Sequence, residues 1–145
     1  MRRIPLLFLL LAITGGCGKD QGPPVVVSGV RILAPMPGTN MGVAYMSISN
    51  QGSETITVES VSSPQFDKVE MHETTITDGV SRMRRLDQVQ IGSGETAIFE
   101  SGGKHLMLFD AAPDTVPGSP VTLEIDHDSG LLVVSATMQA RVPAE

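Results

Sequence analysis

From Val25 onward the chain is a succession of short stretches rich in Val, Ile and Thr, divided by clusters of Gly, Pro, Asn and Asp. The stretches fall at 25–34, 42–49, 54–61, 67–76, 80–90, 95–100, 104–110, 119–127 and 131–142, and none carries the sustained apolar stripe of a helix. Strands of this length and spacing, with turn residues between them, predict an all-β fold, a sandwich or barrel of about eight to nine short strands. Turns read directly at Asn50-Gln51-Gly52, Asp78-Gly79, Gly92-Ser93-Gly94, Gly102-Gly103 and Asp128-Ser129-Gly130. Asp78-Gly79 is the most specific, because a two-residue hairpin loop needs positive φ at both central positions and this dipeptide tolerates it. Such a loop pairs Thr77 with Val80 and therefore His72 with Arg85. There is no internal repeat and no low-complexity tract.

The segment ahead of the strands has a different character. Met1-Arg2-Arg3 and an apolar run over residues 4–13, too short to span a bilayer as a helix, predict an export signal. Thr14-Gly15-Gly16-Cys17 follows, ending in the only cysteine, and resembles the lipobox of bacterial lipoproteins, although Thr14 stands where an aliphatic residue is usual. The expected organisation is a signal peptide at 1–16, a lipidated Cys17 and polar tether at 17–24, and one domain at 25–145. Gly18 is not the Asp that retains many lipoproteins at the inner membrane, which slightly favours the outer membrane. A periplasm-facing, lipid-anchored monomer is expected, touching the membrane through its lipid alone.

Charge and cysteine content narrow the function. Without residues 1–16, 8 basic residues face 16 acidic ones. That balance excludes nucleic acid and a polybasic membrane surface as partners. With Cys17 lipidated, the domain would hold no thiol and no disulfide, leaving packing to stabilise it.

The candidate chemistry lies in histidine and methionine. His105 and Met107 are two apart in a strand and leave the same face. On the Asp78-Gly79 hairpin, Met83 falls one diagonal step from His72 on a shared face, about 7–8 Å away. Two imidazoles and two thioethers form a neutral, soft set that suits Cu(I) and suits Zn²⁺, Mg²⁺ or Ca²⁺ poorly; Cu(II) is a second candidate. Met46 and Met138 read as core filler, and Met71 shares the core parity of Val69. Met36 and Met41, in the loop with Pro35, Pro37 and Gly38, are accessory candidates, as is Met71. His127, between Asp126 and Asp128, is expected in solvent, and Glu70 and Glu73 read as solvated charges.

Together His72, Met83, His105 and Met107 spell H-x10-M-x21-H-x-M. With Val69-Glu70-Met71-His72-Glu73 and Gly102-Gly103-Lys104-His105-Leu106-Met107-Leu108 around them, they resemble the periplasmic copper chaperones called the PCuAC family. The resemblance covers residues 30–134. It implies a cupredoxin-like β-sandwich whose four ligands hold one copper ion and deliver it to an apo-cuproprotein. The implied acceptor is the copper-bearing subunit of a cytochrome oxidase, often served by a thiol-reducing partner that prepares its cysteines. This chain has no Cys-x-x-Cys for that reduction. Some members of that family carry a His- and Met-rich tail for a second ion; residues 139–145 contain neither, so one principal site is expected.

Three other classes remain beside delivery. Envelope copper storage or detoxification would use the same ligands. A lipid-anchored, non-metal interaction domain would use the methionines as core. Blue-copper electron transfer needs a cysteine thiolate with two histidines, which the one cysteine cannot supply from the tether. No nucleophile–base pair or paired acids suggests an enzyme.

Overall fold

The computed structural model describes residues 24–141, so the signal, Cys17 and most of the tether lie outside the described residues. Ten strands form: β1 (Val25–Leu33), β2 (Met41–Asn50), β3 (Ile56–Ser62), β4 (Phe66–Thr77), β5 (Val80–Leu86), β6 (Val89–Ile91), β7 (Thr96–Phe99), β8 (Lys104–Ala111), β9 (Pro120–His127) and β10 (Gly130–Gln139). No helix occurs among the described residues.

The expected count of eight to nine strands is corrected to ten, because the stretch at 80–90 divides at Asp87 and Gln88. Its first part pairs with β4 and its second with β3, at opposite ends of the strand order β5-β4-β8-β7-β2-β1-β10-β9-β3-β6. One run of β-forming residues therefore supplies both edges, and the local pattern carries no sign of the crossing.

Hydrogen bonds link all ten strands into one open sheet, and a short parallel contact of Ile32 with Met138 and Leu33 with Gln139 joins its two halves. The halves bury one face each in a common core, the arrangement of a β-sandwich. Val121, Leu123 and Ile125 of β9, Leu106 and Leu108 of β8, Met71 of β4, and Ala44, Met46 and Ile48 of β2 all belong to it. Each large aliphatic chain buried there contributes about 1.5–3 kcal/mol. The core face thus holds β8 and β4 in place, and their outer face is free to carry polar and ligating residues.

Met46 and Met138 are core, as their setting suggests. His127 is not solvated as expected but buried, because the inward alternation of β9 continues through it past Ile125. Its Nδ1 accepts the Ser129 N–H at 3.3 Å. Strand β5 closes one end of the sheet with Arg82, Arg84 and Arg85 exposed along it, a charged edge that discourages pairing with another chain.

Candidate metal centre

Strand register brings the predicted residues together on the outer face of β2, β8, β4 and β5. Directly paired residues point to the same side of a sheet, and so do residues two apart along one strand. His72 pairs with His105 between β4 and β8, and Met107 pairs with Glu70. Across the hairpin His72 pairs with Arg85, as expected, and Thr74 with Met83. All four therefore share one face. Asp78 and Gly79 take φ of 52° and 76°, the backbone that a tight hairpin loop demands.

The imidazoles are oriented by acceptors that cannot donate. His105 Nδ1–H donates to the Gly103 carbonyl at 3.0 Å, so in the neutral ring Nε2 carries a lone pair. That Nε2 lies 3.3 Å from Met83 Sδ, which also offers lone pairs. Two donor atoms about 2.0–2.3 Å from one tetrahedral first-row ion stand roughly 3.5 Å apart, so this separation is close to that of a shared cation. Gly103 also accepts Thr74 N–H at 3.0 Å, tying β4 to the loop that positions His105.

His72 is set the same way by a carboxylate. Its Nε2–H donates to Glu70 Oε2 at 2.9 Å, leaving Nδ1 buried without a hydrogen-bond partner. An imidazole with one nitrogen held by a carboxylate and the other without a partner matches the outer support of metal-ligating histidines. The ring centroids of His72 and His105 are 6.1 Å apart. Glu70 also meets Lys68 at 3.2 Å and Arg85 at 3.4 Å. The His72 hydrogen bond first, then Lys68, holds the Glu70 carboxyl below the usual value. Glu73 is lowered likewise by Arg84 and then Lys104. Neither glutamate is the solvated charge expected of it. Glu70 shares the outer face of His72, and the expectation of a solvated charge missed the partners on that face, His72, Lys68 and Arg85.

A pocket of about 330 Å³ opens over this face, with Met83, His105 and Met107 in its wall together with Met36, Met41, Tyr45 and Arg141. His72 is beside it rather than in the wall. Met71 is core, as its parity with Val69 suggests, and not an accessory ligand: it is 4% exposed and points to the opposite face of β4. Among the described residues no group of three or more His, Cys, Asp or Glu could hold a metal. A cation here would depend on thioethers as well as imidazoles, and that set favours a soft monovalent ion.

A family model described as "Putative lipoprotein LpqE-like" matches residues 25–138. The chain belongs to the LpqE-like family. This LpqE-like chain is 24% identical over 138 residues to "Putative lipoprotein Lxx21020" of Leifsonia xyli, covering 90% of this chain and 83% of that one. Among solved structures it is similar to the copper-bound PCuAC domain from PmoF2, with TM-score 0.66 and 18% identity over 82% of this chain and 95% of that domain. It is also similar to Cu(I)-DR1885 from Deinococcus radiodurans, with TM-score 0.65 and 24% identity over 85% of this chain and 83% of that one. At these identities the likeness is one of fold, and it agrees with the expected PCuAC-like β-sandwich.

Proposed function

We propose that this protein is a copper chaperone, not an enzyme, that binds one Cu(I) through His72, Met83, His105 and Met107 and delivers it to an apo-cuproprotein. The observation that carries the reading is the meeting of the His105 Nε2 lone pair with Met83 Sδ at 3.3 Å, on the face shared with His72 and Met107. Two facing lone pairs are stabilised by a cation between them. Neutral nitrogen and thioether donors select a soft one, and no proton need leave for it to bind.

The same reading takes the copper-bearing subunit of a cytochrome oxidase as acceptor, with a separate thiol-reducing protein preparing its cysteines. It places the chain in the cell envelope, held by lipid on Cys17. Membership of a family described as lipoproteins supports the anchor. Storage is the second reading. Delivery is favoured because Met83 is 55% exposed, so one ligand is within reach of an incoming protein.

The test is anaerobic Cu(I) titration of the full chain in detergent against a competing chelator, with X-ray absorption for ligation. One tightly held ion per chain with mixed N/S ligation, weakened by both His105→Ala and Met83→Ala, is expected. Binding indifferent to both substitutions would sink the proposal.

A further inference from the structure

Two more thioethers line the same pocket without belonging to the four-ligand set. Met36 and Met41 are 49% and 42% exposed. They do not fill the core, which is the ordinary work of methionine. Their placement is nonetheless built. Met36-Pro37-Gly38-Thr39 is a tight turn in which Thr39 N–H donates to the Met36 carbonyl at 2.9 Å and the Thr39 hydroxyl donates to it at 3.0 Å. Gly38, directly after a proline, takes φ of 82°, as a type II turn requires.

Asn40 then clamps the loop to β8. Its side-chain amide donates to Asp110 Oδ1 at 2.8 Å and its carbonyl accepts Asp110 N–H at 3.1 Å. Met41 follows opposite Phe109, with Val43 opposite Met107. Met41 therefore stands on the ligand face, one diagonal step from Met107, about 7–8 Å away.

We propose that Met36 and Met41 form a second, weaker station for a soft monovalent cation at the pocket mouth, through which Cu(I) passes between the principal ligands and its acceptor. This rests on the copper reading above. Two thioethers without an imidazole hold the ion more loosely than the four-ligand set, and the guanidinium of Arg141 in the same wall works against retention. The step is ligand exchange: a Cu–S bond to Met41 or Met36 forms as one to Met107 or Met83 breaks. Copper stays Cu(I), and no proton moves because thioethers carry none.

The experiment follows methionine methyl resonances of the full chain in detergent, labelled with ¹³C-methyl methionine, during titration with Ag(I) and, anaerobically, Cu(I). The first equivalent is expected to shift the Met83 and Met107 methyls and the second those of Met36 and Met41. The Met36→Leu/Met41→Leu double variant, close in volume and half-exposed at both sites, keeps the fold and the first response. It loses the second and passes Cu(I) to a chelator about tenfold more slowly. Met36 and Met41 methyls that stay still while Met83 and Met107 move would overturn this inference alone, as would a wild-type transfer rate in the double variant. If no methionine methyl moves, the copper reading fails and the second station fails with it.

Discussion

His105 meets two demands through two nitrogens. Nδ1 is committed to the Gly103 carbonyl, and that commitment leaves Nε2 free for Met83. His72 repeats the logic with Glu70 as the holder and Nδ1 as the free atom. Under the proposed copper reading Glu70 is a positioning residue for His72. Glu70→Leu is expected to weaken Cu(I) binding about 10- to 100-fold, the usual cost of losing a partner behind a ligating histidine. Glu70→Gln, whose amide oxygen still accepts, should keep most of the affinity. Chelator competition measures both, and ¹⁵N shifts of the His72 ring report whether the tautomer has changed.

The β4–β5 hairpin is the element on which the centre depends, because it alone brings Met83 beside His105. Gly79 sits at φ 76° in its loop, where a β-branched residue is strained. Gly79→Val should cost about 1–2 kcal/mol and loosen the hairpin. The fall in Cu(I) affinity should exceed that of a surface substitution of equal stability cost, as chelator competition and thermal melts together measure, and hydrogen exchange at β5 should rise as the hairpin loosens.

The same hairpin carries the ion pairs of Glu70 and Glu73. Both carboxyls are held below their ordinary value in the fold, so ionisation stabilises it. That contribution is fully present above the unfolded carboxylate value and is lost as the pH falls through the depressed folded values. Thermal melts of the copper-free chain should fall over this acid range, and the fall should shrink in Glu70→Gln/Glu73→Gln. An acid profile identical in that variant would locate the effect elsewhere.

At the scale of the whole molecule, both halves of the sheet share one core cluster, although the centre occupies only one of them. Leu123 of β9, fully buried in the other half, is part of that cluster. Leu123→Ala should therefore cost about 2–5 kcal/mol. Unfolding should remain a single transition by circular dichroism and by loss of Cu(I) binding, at a lower denaturant midpoint. The Cu(I) affinity of the still-folded fraction should be unchanged. Two separate transitions would mean that the halves fold independently.

Much of this architecture is local and was therefore legible in the residues. Alternation and turn chemistry mark strands, and the Asp78-Gly79 loop sets the hairpin register by its own backbone preference, so His72 opposite Arg85 follows from neighbours in the chain. A period of two likewise puts His105 and Met107 on one face, and the hairpin register adds Met83 to the face of His72. What the tertiary structure alone decided depends on partners distant in sequence. The break between β5 and β6 appears only because the sheet has two edges to supply. His127 is buried because β3 and β10 flank β9 there, against the hint of its two aspartates. Pairing of β4 with β8 set His72 opposite His105 and Met107 opposite Glu70, and pairing of β2 with β8 brought Met41 alongside. No local preference encodes those registers. They are selected by the burial of Leu106, Leu108 and Met71 on the far face, since a slip of one residue would expose that core and bury the charged face.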